Sequence, residues 1–353
     1  MKLLITGGAG FIGSSLVRSA IADGYWVVNV DKLTYASNLE NLKSVSNNNK
    51  YVLEKVDICD SIALGQVFKH HKPDAVIHLA AESHVDRSID SPTAFMQTNI
   101  MGTYHLLEAS LFYFDNLPAD QKSLFRFIHV STDEVFGSLD EGEERFNLST
   151  AYDPRSPYSS SKASSDHLVR AWFHTYGLPV IISNCSNNYG PYQFPEKFIP
   201  LIILNGINGI KLPVYGKGNN TRDWLFVDDH CQALLKMLRG GTVGKTYLVG
   251  GNAESRNIDT VKQICYLLDE LKKNSNAPPH TDLIEFVADR PGHDLRYAID
   301  FSATKTDLNW QPTKSFSEGL RLTVKWYSEN QKWWEPLLNN KSSIIRSGLR
   351  RIK

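Results

Sequence analysis

Two groups of residues in this chain have the types and spacing to do chemistry. Thr132-Asp133-Glu134 closes an apolar run, Phe125 to Val130, that reads as a buried strand. Two adjacent carboxyl groups at a strand end can move a proton on each side of a bond, which an elimination needs and a simple hydride transfer does not. Taken alone, such a pair has an ordinary reading, because neighbouring carboxylates commonly face solvent. Tyr158 and Lys162 form the second group. They are four apart at the start of a predicted helix, Tyr158 to Tyr176, and so share a face. An ammonium beside a phenol favours phenolate and draws the tyrosine pKa toward neutrality, which makes Tyr158 a candidate base for a substrate hydroxyl. Lys162 could also hold a cofactor ribose.

The elements that must position these groups follow from periodicity. Leu3-Leu4-Ile5, Val27 to Val30, Tyr51 to Val56, Ala75 to Leu79, Phe125 to Val130 and Val180 to Ile182 read as short strands. Helical patterns separate them: Ile12, Leu16, Ala20 and Ile21, ending before Gly24; a long helix from about Thr93 to Phe114; and Tyr158 to Tyr176, stopped by Gly177 and Pro179. Strands alternating with helices predict an α/β fold, a Rossmann-type doubly wound parallel sheet. After Asn184, Pro and Gly become frequent and the pattern predicts a smaller, loop-rich α/β lobe. A helix at Val227 to Leu238 and a strand at Thr246 to Val249 look like sheet elements returning. The expected division is 1–184 for the cofactor domain with return elements at about 223–250. The second lobe takes 185–222 and 251–335, and 336–353 is a tail, basic from Lys341 to Lys353.

Gly7, Gly10 and Gly13 form G-x-x-G-x-x-G around Phe11 and Ile12, directly after a strand and opening a helix. Glycines let the backbone approach a pyrophosphate, and the helix N-terminus offers it free N–H groups. Asp31 ends the next strand, 18 residues beyond Gly13. A carboxylate there accepts from a ribose 2′-OH and repels a 2′-phosphate, which favours NAD over NADP, although Lys32 pulls the other way. Leu33 and Thr34 follow in the same loop. Asp57-Ile58 should lie at the adenine edge, and Leu79-Ala80-Ala81 leaves room for a cofactor. His78 reads as a packed core histidine. No His, Cys and acid cluster has metal-site spacing, so no metal is expected.

Composition narrows the class. The 353 residues are 42% hydrophobic and 22% charged, with Lys+Arg and Asp+Glu both at 38. Zero net charge gives no reason to expect nucleic acid or an acidic membrane as partner. Cys59, Cys185, Cys231 and Cys265 are far apart and read as reduced. The first residues form too short an apolar run for a signal peptide, and no stretch approaches a transmembrane length, so a cytoplasmic protein is expected.

Together, the glycines, Asp31, the strand ending in Ser131-Thr132 and the Tyr158/Lys162 pair resemble the extended short-chain dehydrogenase/reductase superfamily over roughly residues 1–330. Within it, several stretches resemble the dTDP-glucose 4,6-dehydratase family: Asp31 to Ala36, Ala81 to Ser88, Thr132 to Gly137, Tyr158 to Asp166, Asn187 to Gln193 and Arg290 to Asp294. The resemblance implies NAD as cofactor and dTDP-glucose as substrate. Tyr158 takes the proton of the 4-OH as the C4 hydride passes to NAD, and Thr132 steers that oxygen. Glu134 removes the acidified C5 proton, Asp133 protonates the departing 6-OH, and the hydride returns to C6, giving a 4-keto-6-deoxy sugar. Asp133 must then be neutral, which requires a dry or anion-rich site.

The resemblance further implies that Ser83, Asn187, Lys197, Arg222, Asn257, Arg290 and His293 hold the nucleotide sugar, and that Thr98 and Asn188 face the cofactor. His84 is open between substrate contact and support. Phe95, Leu106, Phe112, Leu168, Trp172 and Phe173 read as core, while the resemblance implies that parts of these helix faces pair two subunits as a homodimer. Trp326, Trp333 and Trp334 read as packing residues. Three alternatives remain: a 4,6-dehydratase of UDP- or GDP-sugars; a nucleotide-sugar 4-epimerase, which has no use for the acid pair; and a non-enzymatic NAD-binding scaffold, expected to lack Tyr158, Lys162 or the acids.

Overall fold

The computed structural model describes residues 1–272 and 278–339. Its strands are β1 (Lys2–Thr6), β2 (Trp26–Val30), β3 (Tyr51–Glu54), β4 (Ala75–His78), β5 (Arg126–Thr132), β6 (Val180–Cys185), β7 (Asn187–Tyr189), β8 (Leu212–Tyr215), β9 (Thr221–Phe226), β10 (Thr246–Val249), β11 (Glu254–Arg256) and β12 (Ile284–Val287). Seven of them form the main sheet in the order β10-β6-β5-β4-β1-β2-β3. Every neighbouring pair is parallel. The reversal of strand order beside β1 is the switch point at which such sheets open a binding crevice.

Both faces are covered, which is why the strands read as continuous apolar runs. Leu3 and Ile5 point to one face, against Leu16, Val17 and Ala20 of helix Phe11–Ala22 and Leu234, Leu235 and Leu238 of helix Val227–Gly240. Leu4 points to the other, where Leu64, Leu106, Leu107, Val169 and Trp172 arrive from helices Ser61–His71, Thr103–Asp115 and Pro157–Tyr176. Helix Val227–Gly240 covers the sheet, and β10 pairs with β6.

Three expectations change. The third strand stops at Glu54, not Val56, because the backbone leaves the ladder. The long helix is interrupted: Pro92–Phe95 and Thr103–Asp115 are α-helical, and Met96–Gly102 between them is a π-helical turn. That turn aims Asn99 back at the segment after β4, where its amide exchanges hydrogen bonds with both backbone groups of Glu82 and donates to Ser161 Oγ. Phe112, read as core, is 76% exposed.

The stretch after Asn184 is more regular than its Pro and Gly content predicts. β7 and β11 flank β9 in a three-stranded sheet, and β8 pairs with β12. Helix Phe198–Ile207 accommodates Pro200 in its first turn, where the missing N–H costs nothing. Ile202, Ile203, Leu212, Trp224, Val261, Ile264 and Leu320 make a second core. Helices Phe316–Glu329 and Gln331–Asn339 close over it. The Trp326 ring lies 4.6 Å from Tyr192 and 4.9 Å from Trp333, and Trp333 donates to Asn41 at 2.8 Å, so these aromatics are packing residues as expected. The basic stretch Lys341 to Lys353 lies outside the described residues.

Candidate active site

A cavity of ≈ 420 Å³ runs from the C-terminal ends of β1, β2 and β4 to the segments around β7, β9 and Arg290. At its first end the glycines make a cradle. A Cβ on Gly13 would sit 2.1 Å from the Gly7 carbonyl oxygen, and one on Gly7 would sit 2.8 Å from the Ala80 backbone. Only bare backbone fits, and it opens directly onto the N-terminus of helix Phe11–Ala22, a site suited to a pyrophosphate. The Asp31 carboxylate is fixed by Ala9 N (2.9 Å), Leu33 N (2.8 Å) and Ser37 Oγ (2.8 Å). It still has lone pairs for a ribose diol.

Gly7, Gly10, Phe11, Ile12, Gly13, Asp31, Lys32, Thr34, Ile58, Leu79, Ala80, Ala81 and Thr98 line this end, and Asn188 of β7 is also on the cavity wall. Leu33 and Asp57 are not on the wall. Leu33 is spent on the turn, at φ 60°, and Asp57 holds Lys32 at 3.5 Å and caps Cys59 N at 2.9 Å. His78 is core, as read, between Thr6 Oγ1 (2.7 Å) and Thr103 Oγ1 (3.0 Å).

The reacting groups meet in the middle. Thr132 ends β5, paired with Cys185 of β6, and Asp133–Phe136 continues as a 3-10 turn. Thr132 Oγ1 caps this turn by accepting from Glu134 N at 3.3 Å. Thr132, Glu134, Tyr158 and Lys162 line the cavity, while Asp133 sits behind them with its carboxyl buried. Thr132 Oγ1, 3.3 Å from Asp133 Oδ1, connects the two. Burial pushes the Asp133 carboxyl well up, and the carboxyls of Glu134 and Asp223 add to it. This is the dry, anion-rich setting that a neutral Asp133 requires. Burial also raises Glu134, against the pull of Arg290, Arg222 and Lys197.

One expectation is corrected. Tyr158 is held well above its ordinary range, first by burial and then by Glu134, so the chain alone does not poise it near neutrality. Lys162 does not bond the phenol; its Nζ donates to Val130 O at 2.9 Å. Burial lowers Lys162, and Asp166 opposes that fall. Asp166 is fully buried and accepts from Ser131 Oγ (2.9 Å), Tyr152 OH (2.8 Å) and Asn184 Nδ2 (3.1 Å). The same Asn184 amide donates to Thr132 O at 3.1 Å. The sequence reading missed this network, although Asp166 sits one turn beyond Lys162.

At the far end, Ser83, Asn187, Lys197, Arg222, Asn257, Arg290 and His293 all reach the wall. Lys197 Nζ donates to Ser83 O at 2.6 Å, and Arg222 lies 4.3 Å over the Tyr297 ring while donating to Asp294 O at 3.0 Å. Arg290 pairs with Asp86 at 3.2 Å, and His293 with Asp289 at 2.6 Å. Asn187 Oδ1, Asn257 Oδ1 and Arg290 Nε are buried and have no partner among the described residues, a pattern that suits a ligand bringing its own polar groups. His84 does both things that were left open: its ring accepts from Arg87 N at 3.4 Å, capping helix Val85–Asp90, and it also lines the cavity. Asp86, Glu196, Tyr215 and Tyr297 also line this end and were missed. Asp86 lies inside the Ala81 to Ser88 stretch and Glu196 beside Lys197, so adjacency was the available signal.

Residues 4–323 match the family model described as GDP-mannose 4,6 dehydratase. A dTDP-glucose 4,6-dehydratase of Neisseria meningitidis is 56% identical over 98% of this chain and 99% of its own length. One from Escherichia coli is 55% identical over 99% of each. The chain belongs to the dTDP-glucose 4,6-dehydratase family. Its fold likewise matches the crystal structure of a dTDP-glucose 4,6-dehydratase from Streptomyces venezuelae with NAD and TYD bound, with TM-score 0.87 and 42% identity, covering 96% of this chain and 100% of that one. The family model's description names a GDP-sugar, whereas both of these full-length relatives carry the dTDP name.

The cradle geometry predicts that Gly13→Ala separates cofactor binding from folding. The variant should keep its far-ultraviolet circular dichroism yet bind NAD at least about tenfold more weakly by calorimetry, because the new Cβ pushes two backbone segments apart. Unchanged NAD affinity would sink the assignment of this turn.

Proposed function

We infer that the protein is an NAD-dependent hydro-lyase that converts dTDP-glucose to dTDP-4-keto-6-deoxyglucose. The observation that carries this is one turn: Thr132 and Glu134 on the cavity wall with buried Asp133 behind them, facing Tyr158. A 4-epimerase would share the cradle and the Tyr158/Lys162 pair but would have no work for two carboxyls held in different environments.

When bound, NAD takes up the C4 hydride and later gives it back at C6. Tyr158 receives the proton of the 4-OH, with Thr132 Oγ1 orienting the same oxygen. Burial and Glu134 hold the phenol up, and the Thr132 hydroxyl opposes them. Glu134, on the wall and held partly down by three cations, is the base for the C5 proton. Asp133, pushed toward its neutral form, supplies the proton to the departing 6-hydroxyl, with Thr132 Oγ1 as its link to the cavity. Arg222 and Arg290, with Asn187 and Asn257, suit the diphosphate and sugar, since guanidinium forks bind paired oxygens. The TYD bound in the Streptomyces venezuelae relative supports a thymidine-type ligand at this end.

We also propose a homodimer. Phe112 and Tyr176, 76% and 53% exposed, leave apolar surface on the two adjacent helices Thr103–Asp115 and Pro157–Tyr176, where paired subunits would cover it. A cytoplasmic setting belongs to the same reading and agrees with four unpaired cysteines.

Four outcomes test these statements. The chain should form an alkali-absorbing keto product from dTDP-glucose and much less from UDP- or GDP-glucose. Glu134→Gln and Asp133→Asn should slow that product by about 10²- to 10⁴-fold while reduced cofactor still forms; normal turnover by both variants would overturn the roles. The acid limb of kcat should lie at higher pH than that of kcat/KM. Glu134 must be anionic, so activity rises with pH through its pKa, and a bound diphosphate offsets Arg290 and Arg222, which hold that pKa down. Coincident limbs would remove the diphosphate from those arginines. Light scattering should give twice the chain mass; a monomer would refute the dimer.

A further inference from the structure

Three side chains that the mechanism does not use meet at the edge of the cavity. Tyr35 OH donates to Glu196 Oε1 at 3.1 Å, Arg87 Nε donates to Glu196 Oε2 at 2.9 Å, and the Arg87 guanidinium lies 4.0 Å over the Tyr35 ring. Each comes from a different part of the wall. Tyr35 belongs to the loop that leaves β2 at Asp31, Arg87 to the segment after β4, and Glu196 to the segment after β7. Glu196 lines the cavity, whereas Tyr35 and Arg87 lie outside the lining, and Tyr35 is 37% exposed. The bridge therefore stands at the surface side of the wall.

No backbone hydrogen bond joins these three segments among the described residues. The joints are side chains: this triad, the edge-on contact of Tyr35 with Phe194 at 5.7 Å, and Lys197 on Ser83. Segments held in this way can part and rejoin without disturbing the sheets behind them. Asp31 on one of these segments and Asn187 and Glu196 on another line the cavity, so the joint ties two of its sides together.

We propose that Tyr35, Arg87 and Glu196 form a clasp that retains the cofactor between its two hydride transfers. The proposal rests on the reading that the hydride taken from C4 returns to C6 of the same sugar. That chemistry fails if the reduced cofactor departs midway, because the sugar is left oxidised with no hydride to receive. Retention is therefore a requirement separate from binding, and the clasp supplies it at a point away from the reacting atoms. Lys197 and Arg87 both favour the Glu196 carboxylate, and Arg87 also bonds it directly. Without Arg87 it is driven toward water, and the β7 segment goes with it.

The test uses the full-length holoenzyme and Arg87→Ala, with Tyr35→Phe as a milder second variant that removes one hydroxyl and leaves the stack. Exchange of bound NAD for labelled NAD, measured without substrate, should be at least about tenfold faster in Arg87→Ala and a few-fold faster in Tyr35→Phe. Arg87→Ala should also lose NAD on desalting and regain turnover when NAD is added. During turnover, an NADH-consuming enzyme in the mixture should trap reduced cofactor from the variant and not from the wild type. Exchange within twofold of wild type in both variants would overturn the clasp. Failure of the underlying reading shows separately: C4-deuterated dTDP-glucose with the wild type would then give product without deuterium at C6.

Discussion

The reacting centre depends on a buried carboxylate. Asp166 gathers hydrogen bonds from Ser131 on β5, Asn184 on β6 and Tyr152 in the preceding loop, and through Asn184 it fixes the carbonyl of Thr132. It also stands as the counter-charge that keeps the buried Lys162 from falling further. One negative charge thus sets both the position of the acid turn and the charge of the lysine. Such a charge is costly to bury, and it persists because three donors converge on it, with burial opposed by His129, Lys162 and Tyr152. His129 beside it is pushed down to about 4 by burial and then Lys162, so it stays neutral and adds no competing cation.

Around that anchor, the cavity is graded in polarity. The cofactor end is backbone and small residues, shaped by what a Cβ would displace. The far end is crowded with polar groups, many of them already partnered: Arg290 in an ion pair with Asp86, the His293 ring bonded to Asp289, and Arg222 to carbonyl oxygens. Between them lie groups whose protonation is set by exclusion of water more than by any single partner. Burial is the first cause for Asp133, Glu134, Tyr158 and Lys162 alike. The same dryness that pushes the Asp133 carboxyl up pushes the Tyr158 phenol up as well.

Much of this was legible in the chain. Short apolar runs alternating with period-3.6 patterns place the parallel sheet, and the glycine turn with Asp31 places the cradle, because these are local rules. What was illegible is what depends on distant partners. Leu33 and Asp57 share a loop or strand end with true wall residues, but their side chains are used in a turn and a cap. Lys162 has the spacing to help Tyr158, yet the Val130 carbonyl is nearer to its ammonium. The sheet of β7, β9 and β11 was hidden because its strands are three to six residues long and set among prolines and glycines. Their partners come from stretches far apart, and no window of sequence contains both.

The π-helical turn at Met96–Gly102 has a consequence for how this chain can change. A π turn carries one residue more than the α-helix around it. The extra residue is taken up within that one turn, so Leu106, Leu107 and Ser110 beyond it still reach the core. Losing it would close the turn into α-helix and leave those faces in place, while Asn99 would give up Glu82 and Ser161. The stretch can therefore shed the contact that distinguishes it without unseating the helix that follows.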